Sequence, residues 1–349
     1  MLFSEIQIGK MKLKNRFVRS ATWEGMAKED GSVTDELVEL YRKLSENEIG
    51  LIITGHTYVS REGKATPRQL GLYSEEFVPG FKKLVTQVHS SGAKILIQLS
   101  HSGRFGRKSF FGLTPLDPDS ITKREIKRLV ESFCLAAERA KEAGFDGVQL
   151  HAAHGYLISE FFSPLYNHRK DEYGGSVRNR ARFAEQILVS IKKRLGSDYP
   201  VLFKINCEDF KDNGLTLNDA VQIAEILADE GADAVEISGG LLTSRRRGPC
   251  RPYKGPYFLE QALYFKERLT IPVILVGGIR SYGDAEQILQ KGIDLISMSR
   301  PFICEPDLVK RWKNGDRKDS ECESDNLCLK VVKTKDPVRC WKNENRAFI

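Results

Sequence analysis

In GFDGVQLHAAHGYLISEFFSPLYNHRKDEYGGSVRNRAR, residues 144–182, an alternating apolar run leads directly into two histidines and a tyrosine. The two-residue period of GVQL predicts a β-strand, and Gly155 then interrupts regular structure. His151, His154 and Tyr156 are therefore expected to emerge at the carboxyl end of that strand. Three polar rings within six positions favour a polar pocket over isolated core histidines.

Short β-branched strands recur along the chain, and a helical stretch follows each of them. The predicted strands are residues 17–22, 51–54, 95–99, 147–151, 201–206, 234–238, 273–276 and 295–298. Helical periodicity and caps are clearest at residues 34–46, 122–143, 216–230 and 282–290. Eight strands that alternate with helices predict an α/β chain folded as a (β/α)8 TIM barrel.

The chain is expected to form a single domain with short additions at its two ends. Residues 5–8 and 12–15 flank Gly9 and predict a β-hairpin across the bottom of the barrel. The barrel itself should occupy residues 1–313. Residues 314–349 are polar and irregular, and they form the predicted C-terminal tail.

The composition is that of an ordinary globular chain. Its 349 residues are 41% hydrophobic and 29% charged, and the net charge of +7 is spread among many acids, so nucleic acid is not an expected partner. The N-terminus lacks the apolar core of a signal peptide, and no apolar run is long enough to span a membrane. Seven cysteines without a disulfide framework favour reduced thiols and a cytoplasmic location.

Glycines and a cation at the ends of the last two strands predict a phosphate site. Gly277 and Gly278 follow the seventh strand, while Ser299 and Arg300 follow the eighth. Backbone amides at close approach together with one fixed cation are what a phosphate group requires. The loops after strands seven and eight are where TIM barrels commonly bind phosphate.

Two further strand-end residues suit a planar heterocycle. The Gln98 amide can both donate and accept hydrogen bonds at the edge of a ring, and Lys204 can place a cation beside it. Together with the phosphate site, these residues predict a phosphorylated heteroaromatic cofactor whose reduced, anionic form is favoured.

Five motifs give the chain a resemblance that extends over almost its whole length. They are LKNRFVRSAT (13–22), QLSHSGR (98–104), HAAHGYLISEFFSPLYNHRKDEYGGSVRNRARF (151–183), VGGIR (276–280) and SRPFICEPDL (299–308). With these motifs the sequence resembles the old yellow enzyme family of FMN-dependent ene-reductases. It is similar in particular to the bacterial branch that includes the barrel domain of 2,4-dienoyl-CoA reductase.

The resemblance implies an FMN-binding barrel that NAD(P)H reduces and that reduces the C=C bond of an α,β-unsaturated carbonyl compound. It implies that His151 and His154 bind the carbonyl oxygen and that Tyr156 is the proton donor. The residues implied to line the isoalloxazine are Ser20, Ala21, Thr22, Gly55, Gln98 and Lys204, and those implied to hold the phosphate are Gly277, Gly278, Ser299 and Arg300.

The chain departs from the family pattern at three of these positions. Trp23 stands where relatives often carry Thr or Cys, which makes it a candidate substrate contact above the flavin. Lys204 replaces the arginine of many members, which keeps the charge but loses bidentate geometry. Ser299 stands where relatives often have glycine.

The tail resembles a degenerate iron–sulfur motif. Relatives that carry a cluster show CxxCNxC and a further cysteine, whereas this chain has Cys322, Asp325, Cys328 and Cys340. Asp325 replaces the second cysteine, and a carboxylate is a poorer iron–sulfur ligand than a thiolate. An Asp-ligated cluster, a three-iron cluster and a relic without metal all remain open, with an intact cluster the less favoured outcome.

Other functions remain open on the same barrel. An FMN-dependent amine or alcohol dehydrogenase is one alternative, and a flavin-binding electron-transfer component that docks a redox partner protein is another. A third takes the HxxH pair of His151 and His154 with Glu160 as a metal site, which Gly155 disfavours. Residues 57–73 and 244–257 are expected to shape the substrate pocket, and the arginines at 245–247 could bind a CoA ester. A homo-oligomer is expected.

Overall fold

The computed structural model describes residues 1–106, 108–244, 248–252, 255–333 and 336–342. Within these ranges eight parallel strands close into a barrel with helices around it, which confirms the predicted (β/α)8 fold. The arginine run at 245–247 lies outside the described residues, so its role toward a CoA ester stays a prediction.

The strands agree closely with those predicted from β-branched runs. They are β1 (Ile6–Ile8), β2 (Met11–Leu13), β3 (Phe17–Arg19), β4 (Leu51–Ile53), β5 (Thr57–Tyr58), β6 (Lys94–Ser100), β7 (Gly147–Ala152), β8 (Val201–Asn206), β9 (Ala234–Ser238), β10 (Val273–Val276) and β11 (Leu295–Met298). Both faces of the barrel strands are buried, which is why their sequences are nearly continuous apolar runs.

The four helices predicted from periodicity are confirmed, and three of them begin after the capping residues Thr34, Thr122 and Thr216. The helices of the described residues are α1 (Asp35–Glu46), α2 (Val78–His89), α3 (Lys108–Phe111), α4 (Lys123–Glu142), α5 (Leu157–Phe162), α6 (Val177–Leu195), α7 (Leu217–Asp229), α8 (Leu259–Arg268), α9 (Tyr282–Gln290), α10 (Arg300–Cys304) and α11 (Leu308–Lys313). Thr122 and Glu125 form a capping box at the start of α4. No helix in the described part of the chain is long and apolar enough to cross a membrane.

Strand register places the polar residues of the barrel mouth side by side. The barrel runs in the order β3, β4, β6, β7, β8, β9, β10 and β11, and β11 returns to β3. His151 of β7 pairs in register with Lys204 of β8, and Lys204 pairs with Glu236 of β9. A histidine, a lysine and a glutamate therefore form one row across three neighbouring strands.

The N-terminal hairpin is confirmed as the closure of one end of the barrel. Strands β1 and β2 pair antiparallel, and Ile8, Met11 and Leu13 are buried in a cluster with Val18 and Leu51. These last two residues lie at or near the beginnings of their strands. The hairpin therefore covers the amino-terminal end of the strands and leaves the opposite mouth to the polar residues.

The first barrel strand is shorter than predicted. It ends at Arg19 and not at residue 22, although the Ser20 N–H still donates to Met298 O at 2.9 Å. Thr22 Oγ1 donates to Ser20 O at 2.9 Å, and this local bond turns the backbone away from the ladder. The segment leaves the sheet where it reaches the mouth.

The tail packs against the barrel along its described part. Val331 and Val338 are buried with Ile303 of α10 and Cys328, and Trp23 packs against this cluster. The Val338 N–H donates to Glu24 O at 2.8 Å. The boundary at residue 313 stays a prediction, since the tail shares its apolar contacts with the barrel.

Candidate active site

The structure brings together the two histidines and the tyrosine singled out from the sequence. The ring centroid of His151 lies 5.2 Å from that of His154 and 4.4 Å from that of Tyr156. His154 has a φ of 65°, a left-handed conformation that the Asn206 side chain supports by accepting the His154 N–H at 3.0 Å. This bend turns the chain so that the second imidazole faces the first.

Burial keeps both imidazoles neutral. Desolvation lowers the pKa of His151 well below its ordinary value, and His154, His56 and Lys204 lower it further. The pKa of His154 is lowered well below its usual range by desolvation and then by Lys204. A neutral imidazole has one N–H donor and one acceptor nitrogen. His154 Nε2 lies 2.8 Å from Ser238 Oγ, whereas His151 Nδ1 is buried without a hydrogen-bond partner in the described structure.

Tyr156 is held as a protonated phenol. It is buried, and desolvation raises its pKa above the ordinary value. Its hydroxyl lies 3.3 Å from His56 Nε2, and desolvation together with Lys204 lowers the pKa of His56 to about 4. A neutral His56 can accept the phenol hydrogen bond. The sequence pattern did not reveal His56, which follows Gly55 after β4.

A buried ion pair lies beside the histidines. Lys204 Nζ is 3.3 Å from Glu236 Oε2 and donates to Ser20 Oγ at 2.7 Å. Burial alone would raise the pKa of Glu236, yet Lys204 and three hydrogen bonds hold it below the usual value. Two of those bonds come from Ser20 and Ser297, each at 2.7 Å. Glu236 therefore remains an anion that fixes the lysine.

Gln98 joins the same network through Gln149, a residue that the sequence motifs did not single out. Gln98 Nε2 donates to Gln149 Oε1 at 2.7 Å, and Gln149 Nε2 donates to Glu236 Oε2 at 2.8 Å. All three side chains are buried. The sequence did contain a signal for these two residues: Gln149 in GVQLHA and Glu236 in AVEIS are polar residues inside apolar strands. A polar side chain is costly to bury without hydrogen-bond partners, so such a residue indicates a buried polar network.

The predicted flavin contacts that follow the first two barrel strands lie together at the mouth. Thr22 Oγ1 is 2.7 Å from Ser299 Oγ, so the ends of β3 and β11 meet there with Ala21 between Thr22 and Ser20. The Gly55 N–H is bound by Glu24 Oε1 at 3.2 Å and by the Tyr41 hydroxyl at 3.1 Å. The Gly55 amide thus serves to hold this loop.

The diglycine after β10 forms a cradle into which side chains would not fit. Gly277 and Gly278 have φ values of 124° and 80°. A Cβ atom on Gly278 would lie 1.7 Å from Gly255 O, and one on Gly277 would lie 2.6 Å from the Tyr257 ring. Both glycines share a small cavity with Ser299, Arg300 and Arg280. The missing side chains therefore let residues 255–258 pack directly against the backbone beside this cavity.

Arg300 and Arg280 differ in how their guanidinium groups are engaged. Arg300 Nη1 donates to Arg251 O at 3.0 Å and to Asn326 Oδ1 at 2.5 Å, which ties the arginine to the tail. Arg280 is 3% exposed, and its Nε and Nη2 atoms are buried without hydrogen-bond partners in the described structure. Desolvation lowers the pKa of Arg280, with Cys322 opposing that shift. The sequence analysis did not select Arg280 as a phosphate-binding residue, although it belongs to the VGGIR motif.

The structure places Trp23 in the seam between barrel and tail. Its ring packs against the cluster of Ile303, Cys328 and Val338. It also lines a small cavity with Arg19 and Val338. A role for Trp23 as a substrate contact stays a prediction, and these contacts belong to tail docking.

Glu160 is engaged by Arg104 and not by the histidine pair. Its Oε1 atom accepts from Arg104 N at 3.1 Å and from Arg104 Nε at 2.9 Å. Desolvation raises the pKa of Glu160 to about 8 despite the arginine. Among the described residues, no group of three or more His, Cys, Asp or Glu is placed to hold a metal ion. The geometry therefore gives no support to a metal site at HxxH.

The cysteines of the tail lie close to a cysteine of the barrel. The Asp325 side chain is directed back to its own loop, because Oδ1 accepts the Leu327 N–H at 3.0 Å. Cys340 contacts Cys304 of α10, with the two Sγ atoms 3.4 Å apart. One small cavity is lined by Asp325 and by four cysteines, Cys304, Cys322, Cys328 and Cys340. The three outcomes left open by the sequence stay predictions.

The barrel mouth does fit a phosphorylated flavin. The diglycine and the Nε and Nη2 atoms of Arg280 could supply amides and a cation for the phosphate, while Arg280 Nη1 donates to Ile279 O at 2.7 Å. Lys204 and Gln98 supply a cation and an amide for the ring, and the His151 Nδ1 atom is left for a ligand. The fit thus rests on buried polar atoms of Arg280 and His151 that have no hydrogen-bond partner in the described structure, and on the two glycines that line the cavity.

Comparison with known proteins agrees with this fit. The sequence model of the NADH:flavin oxidoreductase / NADH oxidase family matches residues 1–319. An NADH oxidase of Thermoanaerobacter brockii is 37% identical over 346 residues, which are 93% of this chain and 53% of that protein. The chain thus spans about half the length of this relative.

Two solved structures share the whole architecture. A complex of 2-naphthoyl-CoA reductase with 2-naphthoyl-CoA superposes with a TM-score of 0.92 at 28% identity, over 97% of this chain and 56% of that one. An old yellow enzyme homologue from Zymomonas mobilis gives a TM-score of 0.80 at 27% identity, over 93% of this chain and 95% of that one.

Proposed function

Because the chain belongs to the NADH:flavin oxidoreductase / NADH oxidase family, we propose that it is an FMN-dependent reductase of α,β-unsaturated carbonyl compounds with NADH or NADPH as reductant. The observation that carries the proposal is the convergence of two neutral imidazoles and one protonated phenol at the barrel mouth. A phosphate cradle and a fixed lysine lie at the same mouth.

The histidine pair would bind the carbonyl oxygen of the substrate. His151 and His154 are neutral, so each can present one N–H to an oxygen without repelling a cation from the pocket. Donors that are fixed before the reaction stabilise the negative charge that grows on that oxygen as the double bond is reduced. The Ser238 hydroxyl beside His154 orients one of the two rings.

FMN bound at the mouth would supply hydride to the β-carbon of the substrate. Lys204 would lie beside the ring, held in place by Glu236 and Ser20. Its charge favours the reduced, anionic state of a heterocycle, and burial from water strengthens that effect. Gln98, fixed by Gln149, would hydrogen-bond the polar edge.

Tyr156 would complete the reaction by giving its proton to the α-carbon. Its raised pKa keeps the phenol protonated at neutral pH, and its ring packs against His151. His151 lies near the end of β7, and His154 and Tyr156 lie in the loop that follows it, so one short segment would supply the acid and both donors. Proton donation by a positioned acid typically contributes about 10²–10⁴-fold to the rate.

The substrate class to test first is a conjugated CoA thioester. A structural neighbour, 2-naphthoyl-CoA reductase, was solved in complex with 2-naphthoyl-CoA, which supports this choice. A thioester carbonyl offers the same oxygen to the histidine pair as a ketone does. A free unsaturated ketone or aldehyde is the comparison substrate.

Anaerobic absorption spectroscopy tests the proposal in two halves. We expect flavin bands that bleach on addition of NADH or NADPH and return on addition of an unsaturated carbonyl compound, with one alkene reduced per flavin. Bleaching without recovery by any such compound would contradict alkene reduction while leaving the flavoenzyme intact. If no flavin binds even after reconstitution with FMN, the cofactor assignment itself fails.

A further inference from the structure

The tail brings a cysteine of its own into contact with a cysteine of the barrel. Cys340 Sγ lies 3.4 Å from Cys304 Sγ, although the two residues are 36 positions apart in the chain. Cys304 ends α10, the short helix that begins with Arg300. All seven cysteines are among the described residues, and in the structure they are thiols.

We propose that Cys304 and Cys340 form a redox-reversible disulfide that fastens the tail onto α10 when the protein meets a peroxide. The inference does not depend on the substrate of the flavin site. A disulfide requires the two sulfur atoms to approach to about 2.05 Å, so a closure of little more than 1 Å joins the pair. The two sulfur atoms are already in van der Waals contact.

The surroundings assign different roles to the two thiols. Cys340 is half-buried and reachable by a small oxidant, whereas Cys304 is buried. The more accessible Cys340 is therefore the thiol that a peroxide attacks first, and Cys304 is the one that resolves the product.

The chemistry balances with hydrogen peroxide as the oxidant. The Cys340 sulfur attacks one peroxide oxygen, the O–O bond breaks, and a sulfenic acid and one water are formed. The Cys304 sulfur then attacks the sulfenic sulfur, the S–O bond breaks, and a second water leaves as the S–S bond forms. Both sulfurs are oxidised, peroxide is reduced to two waters, and an added dithiol reverses the step.

The disulfide would act on a part of the chain that touches the phosphate end of the barrel. Arg300 already binds the tail through Asn326 Oδ1 at 2.5 Å and Ser324 O at 3.4 Å. A covalent bond from Cys340 to the end of the same short helix would hold the tail in that position. It would also restrict the unfolded chain, since it closes a long loop.

Thiol counting on the intact protein tests the proposal. Protein purified anaerobically with reductant is treated with increasing hydrogen peroxide, denatured, alkylated and weighed. Seven alkylated cysteines are expected before treatment, and five after limited oxidation, because seven less the linked pair leaves five. Peptide mapping should find a Cys304–Cys340 link that dithiothreitol removes.

Single serine variants separate this pair from the other thiols. Cys304→Ser and Cys340→Ser should each abolish the link, whereas Cys328→Ser, a buried thiol of the same cluster, should keep it. If a variant fails to fold, mapping of the wild-type protein decides alone. Seven thiols that persist, or a different pair that links first, would overturn the proposal.

Metal analysis distinguishes a disulfide between these thiols from a metal site that uses them as ligands. Iron, sulfide and zinc are measured on the anaerobically purified wild-type protein and on Cys340→Ser. The proposal expects no metal in either protein. Bound metal that is lost with Cys340 would identify the tail thiols as ligands and would overturn the disulfide assignment.

Discussion

Lys204 and Glu236 form a buried ion pair, with Lys204 Nζ 3.3 Å from Glu236 Oε2 and the two residues 4% and 0% exposed. Each partner alone would be costly to bury, because an isolated charge loses its hydration without compensation. The hydroxyls of Ser20 and Ser297 both donate hydrogen bonds to the Glu236 carboxylate. The pair therefore sets both the stability of the barrel mouth and the electric field beside the proposed flavin.

Glu236→Gln should destabilise the protein and raise the flavin reduction potential. The change leaves Lys204 without its counter-ion, and removal of one partner of a buried pair typically costs about 3–5 kcal/mol. A lysine that is no longer neutralised favours the anionic reduced ring. Denaturant unfolding and equilibrium redox titration measure the two effects.

The matched control for that change is Glu225→Gln. Glu225 pairs with Arg268 at 2.8 Å on the surface, where an ion pair contributes about 0–1 kcal/mol. Equal losses of stability in the two variants would mean that the buried pair stabilises the fold no more than a surface pair does. An unchanged potential in Glu236→Gln would place Lys204 outside the field of the flavin.

The fold could be predicted from sequence because parallel strands buried on both faces leave a strong signal. All eight barrel strands were located, since β-branched runs alternate with capped helices. The end of β3 was misplaced, because the local bond from Thr22 to Ser20 competes with the ladder there. The packing of the tail was missed, since its apolar anchors Val331 and Val338 are isolated in a polar sequence.

The site was only partly predictable, for a different reason. His151, His154 and Tyr156 are close in sequence, so one motif exposes all three. Glu236 reaches the site through register between strands that are far apart in sequence, and a single strand pattern cannot show this. The strand-end residues proposed for FMN lie at the mouth, and their roles in binding the cofactor stay predictions.

Tyr156→Phe should slow alkene reduction and spare flavin reduction. The substitution keeps the ring that packs on His151 and removes the proton, so the oxidative half-reaction should fall by about 10²–10⁴-fold. Flavin reduction by NADH or NADPH needs no proton from this phenol and should change little. Stopped-flow measurement of each half-reaction distinguishes the two.

Tyr199→Phe is the control for the loss of a buried phenol hydroxyl. Tyr199 is buried, and its hydroxyl has no hydrogen-bond partner in the described structure. It precedes β8, at the end of the strand away from the mouth. Both half-reactions should keep wild-type rates in Tyr199→Phe, and an equal slowing of both in Tyr156→Phe would remove the proton-donor role.

Arg280→Met should weaken FMN binding and leave riboflavin binding unchanged. The two flavins differ only in the phosphate, so their affinity ratio reports on that group. A hydrogen bond to a charged group contributes about 1.5–3 kcal/mol, and its loss corresponds to a roughly 10- to 100-fold higher Kd for FMN. Fluorescence titration of apoprotein with each flavin measures the ratio.

Two further variants complete the Arg280 test. Arg280→Lys should recover part of the FMN affinity, because it restores the charge. Arg317→Met removes an arginine that stacks on Tyr282, with 4.5 Å between guanidinium carbon and ring centroid, and should leave the ratio unchanged. Equal weakening of both flavins in Arg280→Met would show that the arginine supports the fold and not the phosphate.

Stability should fall as the pH drops below the ordinary pKa of histidine. Burial lowers the pKa of His56 and His101 to about 4, and lowers those of His151 and His154 well below their usual range. The unfolded chain takes up these protons near pH 6.5, so it binds more protons than the folded state between pH 6.5 and 4. Glu160 opposes this, since its folded pKa of about 8 lies above its unfolded value.

Desolvation also raises the pKa of Asp209, so two carboxyls oppose four imidazoles, and the balance is still a net uptake of protons on unfolding. Each proton contributes about 1.4 kcal/mol per pH unit, so the free energy of unfolding should fall by roughly 2–4 kcal/mol between pH 6 and 5. His101→Gln should reduce that slope by about one proton. His168→Gln, at an exposed position paired with Asp119, serves as the control. A slope that is flat or reversed in urea unfolding across this window would mean that the buried imidazoles are charged in the folded protein.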